Sequence, residues 1–310
     1  MNRTIFTQLA GVATICTVGL LSVLHFSKLG PGSSFALSSS TIRIPARVAV
    51  TDYRTAEEAR TIIWLQELEQ KQVLKALDAH VIKPLFEDSR VQGLAVEGLE
   101  VSEAQFAEVN ATVSACARIL HMDRIPKVFV SEHVSAPTIS ENAVAPVIVI
   151  ESSIVSRFGN GPELRFLIGR EMGHIQAGHV RWLALIRRIG SVPDKMGFLS
   201  GLAVRPAILP LARFARECEM TADNAGLICA QDPKAAERAL VRMATGSDGA
   251  ADNAVNVEAY LRQGHSENLS KASDYIEAWK ALSAPIPFAP ERIYQLREYK
   301  ASRQFKALWQ

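Results

Sequence analysis

A helix beginning near Pro162, PELRFLIGREMGHIQAGHVRWLALIRRIG, constrains this chain more than any other stretch, because its middle carries Arg170, Glu171 and His174. Residues at i and i+4 stand on one face of a helix, so Arg170 and His174 point into the same space with Glu171 beside them. That is the spacing of H-E-x-x-H with its first histidine replaced. In the intact motif two neutral imidazoles hold zinc, and the glutamate between them takes a proton from metal-bound water to make a nucleophile for amide hydrolysis. E-x-x-H alone arises readily by chance in 310 residues, so it needs support from elsewhere in the chain.

Support comes about 45 residues past His174, where ARECEMTADNAGL (Ala215–Leu227) follows a second helical pattern with Glu219 and Asp223 on one face. A catalytic zinc site of the His2Glu type takes a carboxylate from a second helix, and a carboxylate one turn further on hydrogen-bonds a ligand histidine. Glu219 fits the first role and Asp223 the second. The plainer reading stays open on spacing alone: Glu219 and Asp223 form a solvated helix face, and His174 is a satisfied interior histidine.

The chain around this pair divides by composition. Ile5–Phe26 is uncharged and would span roughly 33 Å as a helix, enough to cross a bilayer. Residues 1–28 therefore read as a single-pass anchor with the body on the exported side; Ser34-Phe35-Ala36 offers the alternative of a cleaved signal and a secreted body. Residues 29–45 include GPGSSFALSSS, a flexible tether, and residues 46–310 form the globular part. Apolar positions from Ile62 to Val81 recur at helical spacing, as one long helix or two. Ser102 with Gln105 forms a capping box ahead of a second helix reaching about His121. Lys127–Ser131 and Val144–Glu151 read as strands of a small sheet, and helices dominate from there, one of them opening at Asp232-Pro233. Gly197–Ala212 is apolar but interrupted by Arg205, Pro206 and Pro210. Lysine plus arginine number 34 against 32 acidic residues, which leaves no surplus for a phosphate-tracking face, so no nucleic-acid partner is expected. Four scattered cysteines make neither a disulfide scaffold nor a zinc ribbon.

Together GREMGHIQAGHV and ECEMTADNAGL resemble the HtpX-like, CAAX-prenyl-protease type of gluzincin metallopeptidase, over about residues 90–245. The resemblance implies an α+β, mostly α-helical domain with a small β-sheet behind an N-terminal transmembrane helix. It implies zinc as cofactor, with His174 and Glu219 matching metal ligands, Glu171 the general base and Asp223 the carboxylate behind a ligand. Gly173 and His179 match the family's glycine and its histidine five residues on. The family also pairs an extended peptide with a free strand edge before the active-site helix, and Val147, Ile148, Val149 and Ile150 are expected to be that strand. AQDPKAAERALVRMATG and VNVEAYLRQ look like a plastid and bacterial branch carrying one anchor.

Arg170 matches nothing in the family. It leaves two protein ligands where three are usual, and a permanent guanidinium repels a divalent cation. Without zinc, Glu171, Glu219 and Asp223 would bring like charges into a partly buried site, which is costly unless a cation compensates. Arg170 can be that cation, its planar fork pairing one carboxylate and donating to a second. A third ligand from His179 is harder to arrange, because five residues turn it about 140° round an ideal helix from His174. The expectation is a membrane-anchored metallopeptidase-family protein with a degenerate zinc site. It would be a catalytically impaired pseudopeptidase serving as a peptide-binding or structural subunit, with weak zinc binding or none. The alternative is an active zinc endopeptidase cleaving membrane or envelope proteins.

Overall fold

The computed structural model describes residues 42–70, 98–132, 138–139, 146–186, 198–246, 256–265 and 289–310. A 3-10 turn (Val50–Asp52) leads into α1 (Ala56–Gln70), β1 (Leu99–Glu100) and α2 (Ala107–Ile119). Then follow β2 (Lys127–Ser131), β3 (Thr138–Ile139), β4 (Val147–Glu151), α3 (Ser152–Phe158) and α4 (Pro162–Gln176). A helical stretch at 179–186 precedes α5 (Phe198–Ala230), α6 (Pro233–Thr245), α7 (Val257–His265), α8 (Ala289–Ala301) and α9 (Arg303–Ala307). The expected α+β, mostly helical composition with a small sheet is what is seen. The anchor at Ile5–Phe26, the GPGSSFALSSS stretch of the tether and the helical pattern from Val73 to Val81 lie outside the described residues. Among the described residues no helix is long and apolar enough to cross a membrane.

The sheet has the order β1-β2-β4-β3, with β2 and β4 parallel and the outer strands antiparallel to their neighbours. Val128 and Val130 stand opposite Ile148 and Ile150, and all four are buried against the helices, as the two-residue period of a strand requires. This corrects the expected edge strand. Val147–Ile150 lies inside the sheet, because β3 pairs Thr138 with Val149 and Ile139 with Ile148 on the side away from β2. The three consecutive buried residues of β4 show that this strand is covered on both faces. The outer strand beside it is β3, which contacts α4.

Two other expectations shift. Ser102 Oγ does accept from Gln105 N at 3.2 Å, but that turn stands before the helix. α2 starts at Ala107, after Phe106 adopts φ 57° with no side-chain cap. Pro206 and Pro210 do not interrupt α5, which runs unbroken from Phe198 to Ala230. Asp232 caps α6 as expected, its side chain accepting from Lys234 N at 3.0 Å and Ala235 N at 3.1 Å.

α4 lies at the centre. Leu164, Phe166, Leu167 and Ile168 join Val128, Ile148, Cys116 and Ile293 in the main core, each large side chain contributing about 1.5–3 kcal/mol by leaving water. Two glycines let α5 approach α4 closely. A Cβ at Gly173 would fall 2.5 Å from the Ala225 Cβ, and one at Gly169 would fall 2.5 Å from the Cys229 Cβ. This close contact brings the 170–174 face of α4 up to the 219–223 face of α5. A smaller apolar cluster joins Ile62 and Leu65 of α1 to Trp182, Ile186, Phe214 and Cys218.

Candidate functional site

Pro162 opens α4 with its fixed φ, and the helix places Arg170, Glu171 and His174 in the interior, all three buried. α5 delivers Glu219 and Asp223, at 6% and 1% exposure, to the same place. The solvated-face reading of these two carboxylates is thereby excluded.

Arg170 is the hub. Its Nη1 donates to Glu171 Oε1 at 2.6 Å, its Nε donates to Asp223 Oδ1 at 3.1 Å, and its Nη2 pairs with Glu219. The three carboxylates expected at the site thus meet a single guanidinium. A second guanidinium, Arg292 of α8, is also buried and grips Asp223 with Nε to Oδ2 at 2.7 Å and Nη2 to Oδ1 at 2.6 Å. This is the parallel fork that arginine forms with a carboxylate. Burial pushes the Glu171 carboxyl above its ordinary range, against the opposing pull of Arg170 and Arg292. Burial also lowers the Arg170 value, and the nearby positive charge of Arg292 adds to that lowering. The cluster is costly to desolvate, and full pairing is what makes it tolerable.

His174 Nε2 lies 3.6 Å from Glu219 Oε1, while its Nδ1 is 3.0 Å from Nδ1 of His179. The expectation that these two histidines face different directions fails for a clear reason. α4 ends at Gln176, and the turn at Ala177 and Gly178, with φ +74°, redirects the chain before His179. Ideal helical angles do not apply across that turn. His179 then faces Glu58 of α1, Nε2 to Oε1 at 3.0 Å.

These donors do not fit zinc. A catalytic site needs three protein ligands and an open position. Here a cation occupies the place of the first ligand and engages both Glu219 and Glu171. His179 is turned toward His174 and Glu58. Among the described residues no group of three histidine, cysteine or carboxylate side chains is arranged to hold a metal ion.

Two contributors escaped the sequence reading. Arg292 shares a helical stripe with Ala289, Ile293, Leu296 and Tyr299, all buried, and a charge within an apolar stripe is the signal that it has a buried partner. Glu58 carries the same signal, lying four and seven residues before buried Ile62 and Leu65.

Residues 103–300 match peptidase family M48. The chain is similar to the plastoglobule-localized metallopeptidase 48, chloroplastic, of Arabidopsis thaliana, with 28% identity over 217 residues. That match covers 67% of this chain and 61% of the relative, so it spans less than two thirds of the relative's length. No solved structure matches the chain.

Proposed function

The chain belongs to peptidase family M48, and from that premise we propose that it is a membrane-anchored, HtpX-like member that has exchanged its catalytic metal for an internal cation. On this reading it is a pseudopeptidase that serves as a peptide-binding or structural subunit of a membrane assembly. The observation that carries the reading is the single guanidinium of Arg170 in contact with Glu171, Glu219 and Asp223. In a working site of this family the metal's charge is balanced by such carboxylates. Here Arg170 and Arg292 balance them, and Glu171, which matches the family's general base, is tied to Arg170 at 2.6 Å. A carboxylate engaged in that way is a poor acceptor for a water proton.

A second reading is an active zinc endopeptidase, favoured by the convergence of Glu171, His174, Glu219 and Asp223 in one buried place. It requires Arg170 to leave and another group to complete the ligand set.

Zinc per chain, measured by elemental analysis on detergent-purified full-length protein with Arg170→His prepared in parallel, separates the two. We expect no stoichiometric zinc in the unmodified chain and close to one equivalent in the histidine variant. Near-stoichiometric zinc in the unmodified chain would overturn the proposal, and Glu171→Gln would then be assayed for loss of proteolysis. A histidine variant that also lacks zinc would count against the idea that arginine merely took the metal's place.

A further inference from the structure

Residues 42–48 run as a strap between the ends of α5 and α9. Arg43 N donates to Gln231 Oε1 at 2.9 Å, just past the end of α5, and Gln231 Nε2 donates back to the Arg43 carbonyl. His121 Nε2 lies 2.8 Å from the Pro45 carbonyl, and Val48 is buried in the main core. The strap is thus pinned along its length. Between it and α9 lies a cleft of about 600 Å³, inside the range of about 300–1,000 Å³ that ligand sites occupy. Its walls include Arg43, Ile44, Arg47, Leu308 and Trp309.

Charge and polarity in this cleft point to one kind of ligand. Arg43 Nη2 donates to the Trp309 carbonyl at 3.3 Å, and the guanidinium carbon stands 5.6 Å from the centre of the Trp309 ring. Most of the guanidinium's N–H donors are left over. Arg43 and Arg47 are both exposed, and among the described residues neither meets a carboxylate at ion-pair distance. The acidic side chain in the lining, Asp52, is turned to its own backbone, with Oδ2 accepting from Ala49 N at 2.7 Å. Two cations therefore line the cleft without a counter-charge. Beside them Ile42 and Ile44, which flank Arg43 in the chain, are 38% and 50% exposed. A small soluble anion would satisfy the arginines and leave both isoleucines in water. An amphiphile with an anionic head satisfies both, and interleaved arginine, aliphatic and tryptophan side chains are the composition of a surface that meets anionic lipid.

We infer that the cleft between the strap and α9 binds the headgroup of an anionic phospholipid, with Arg43 and Arg47 on the phosphate and Ile42, Ile44 and Trp309 against the lipid's apolar part. The inference rests on the membrane-anchored reading for its supply of lipid, and on the cleft alone for its chemistry. The tether agrees with it. The 15 residues from Ser27 to Thr41 end where the strap begins, and a flexible chain of that length averages about 20 Å end to end. An anchor at Ile5–Phe26 would therefore keep headgroups within reach of Arg43 and Arg47, and the cleft would be a second attachment to the same membrane, independent of whether the chain cleaves peptides.

The test is native mass spectrometry of the full-length protein in a neutral detergent, titrated with phosphatidylglycerol, with phosphatidylcholine of the same acyl chains and with inorganic phosphate. One phosphatidylglycerol is expected to be retained in preference to phosphatidylcholine. Arg43→Gln and Arg47→Gln are each expected to weaken that retention about fivefold, while Arg303→Gln, exposed on α9 outside the lining, leaves it unchanged. Arg47 bonds no other described residue, so a loss in its variant is not a loss of fold. Equal retention of the two lipids, or an equal loss in Arg303→Gln, would refute the cleft as a lipid site. Displacement of phosphatidylglycerol by millimolar inorganic phosphate would refute the lipid in favour of a free anion. Alkaline carbonate extraction of membranes tests the anchor separately. A chain that extracts yet still prefers phosphatidylglycerol removes the anchor and keeps the cleft; one that resists extraction and shows no preference removes the cleft and keeps the anchor.

Discussion

Arg170 and Arg292 bring two positive charges to three carboxylates in a volume almost closed to water. Removing one of them leaves a buried charge without compensation, which costs far more than the intact pair contributes. Arg170→Met is therefore expected to lower stability by about 3–5 kcal/mol, read as a fall in the urea midpoint. Arg170→Met combined with Glu219→Gln should recover part of that loss, because members of one network do not act additively. The meeting of Arg170 with Glu171, Glu219 and Asp223 was legible only in part: the i, i+4 spacing puts Glu219 and Asp223 on one face of their helix, and it was the resemblance to a two-helix metal site that brought that face to Arg170. The hold of Arg292 on Asp223 was not legible at all, because 69 residues separate them and no local pattern carries information across that distance. The His174–His179 contact was hidden for another reason: it depends on where α4 stops, and the turn at Gly178 reads as an ordinary helical position.

At the level of elements, the distance between α4 and α5 sets the site. Gly173→Ala would put a methyl carbon 2.5 Å from the Ala225 Cβ. Both partners belong to helix backbones that can separate only by moving together. The expected cost is about 1–3 kcal/mol, typical of overpacking a closed interior, and thermal unfolding followed by circular dichroism would measure it. The sheet shows the limit of periodic patterns. Lys127–Ser131 is legible as a strand because five residues rich in branched apolar side chains suffice to announce it. β1 and β3 have two residues each, too few to display any period. Missing β3 is what turned β4 into an apparent edge. α5 carries the converse lesson, since Pro206 and Pro210 signal breaks in isolation and yet the helix continues through both.

Across the folded unit, its first and last described segments are laced together through α5. The Tyr53 carbonyl accepts from Asn224 Nδ2 at 2.9 Å, Thr55 N donates to Thr221 Oγ1 at 3.0 Å, and Tyr299 Oη donates to the Asp52 carbonyl at 2.9 Å. Ile293, Leu296 and Tyr299 of α8 also belong to the main core. Deleting residues from Ala289 onward should therefore abolish the cooperative thermal transition of the whole unit, seen as a broad, low-amplitude melt and increased binding of a hydrophobic dye. The fork between Arg292 and Asp223 also has a consequence for synthesis. Translation at about 5–20 residues per second takes about 3–14 s to cover the 69 residues between them. For that interval Asp223 has emerged while its strongest partner does not yet exist. The charge centre therefore closes late, when α8 arrives, and until then the nascent chain holds an acidic cluster with Arg170 as its internal counterion.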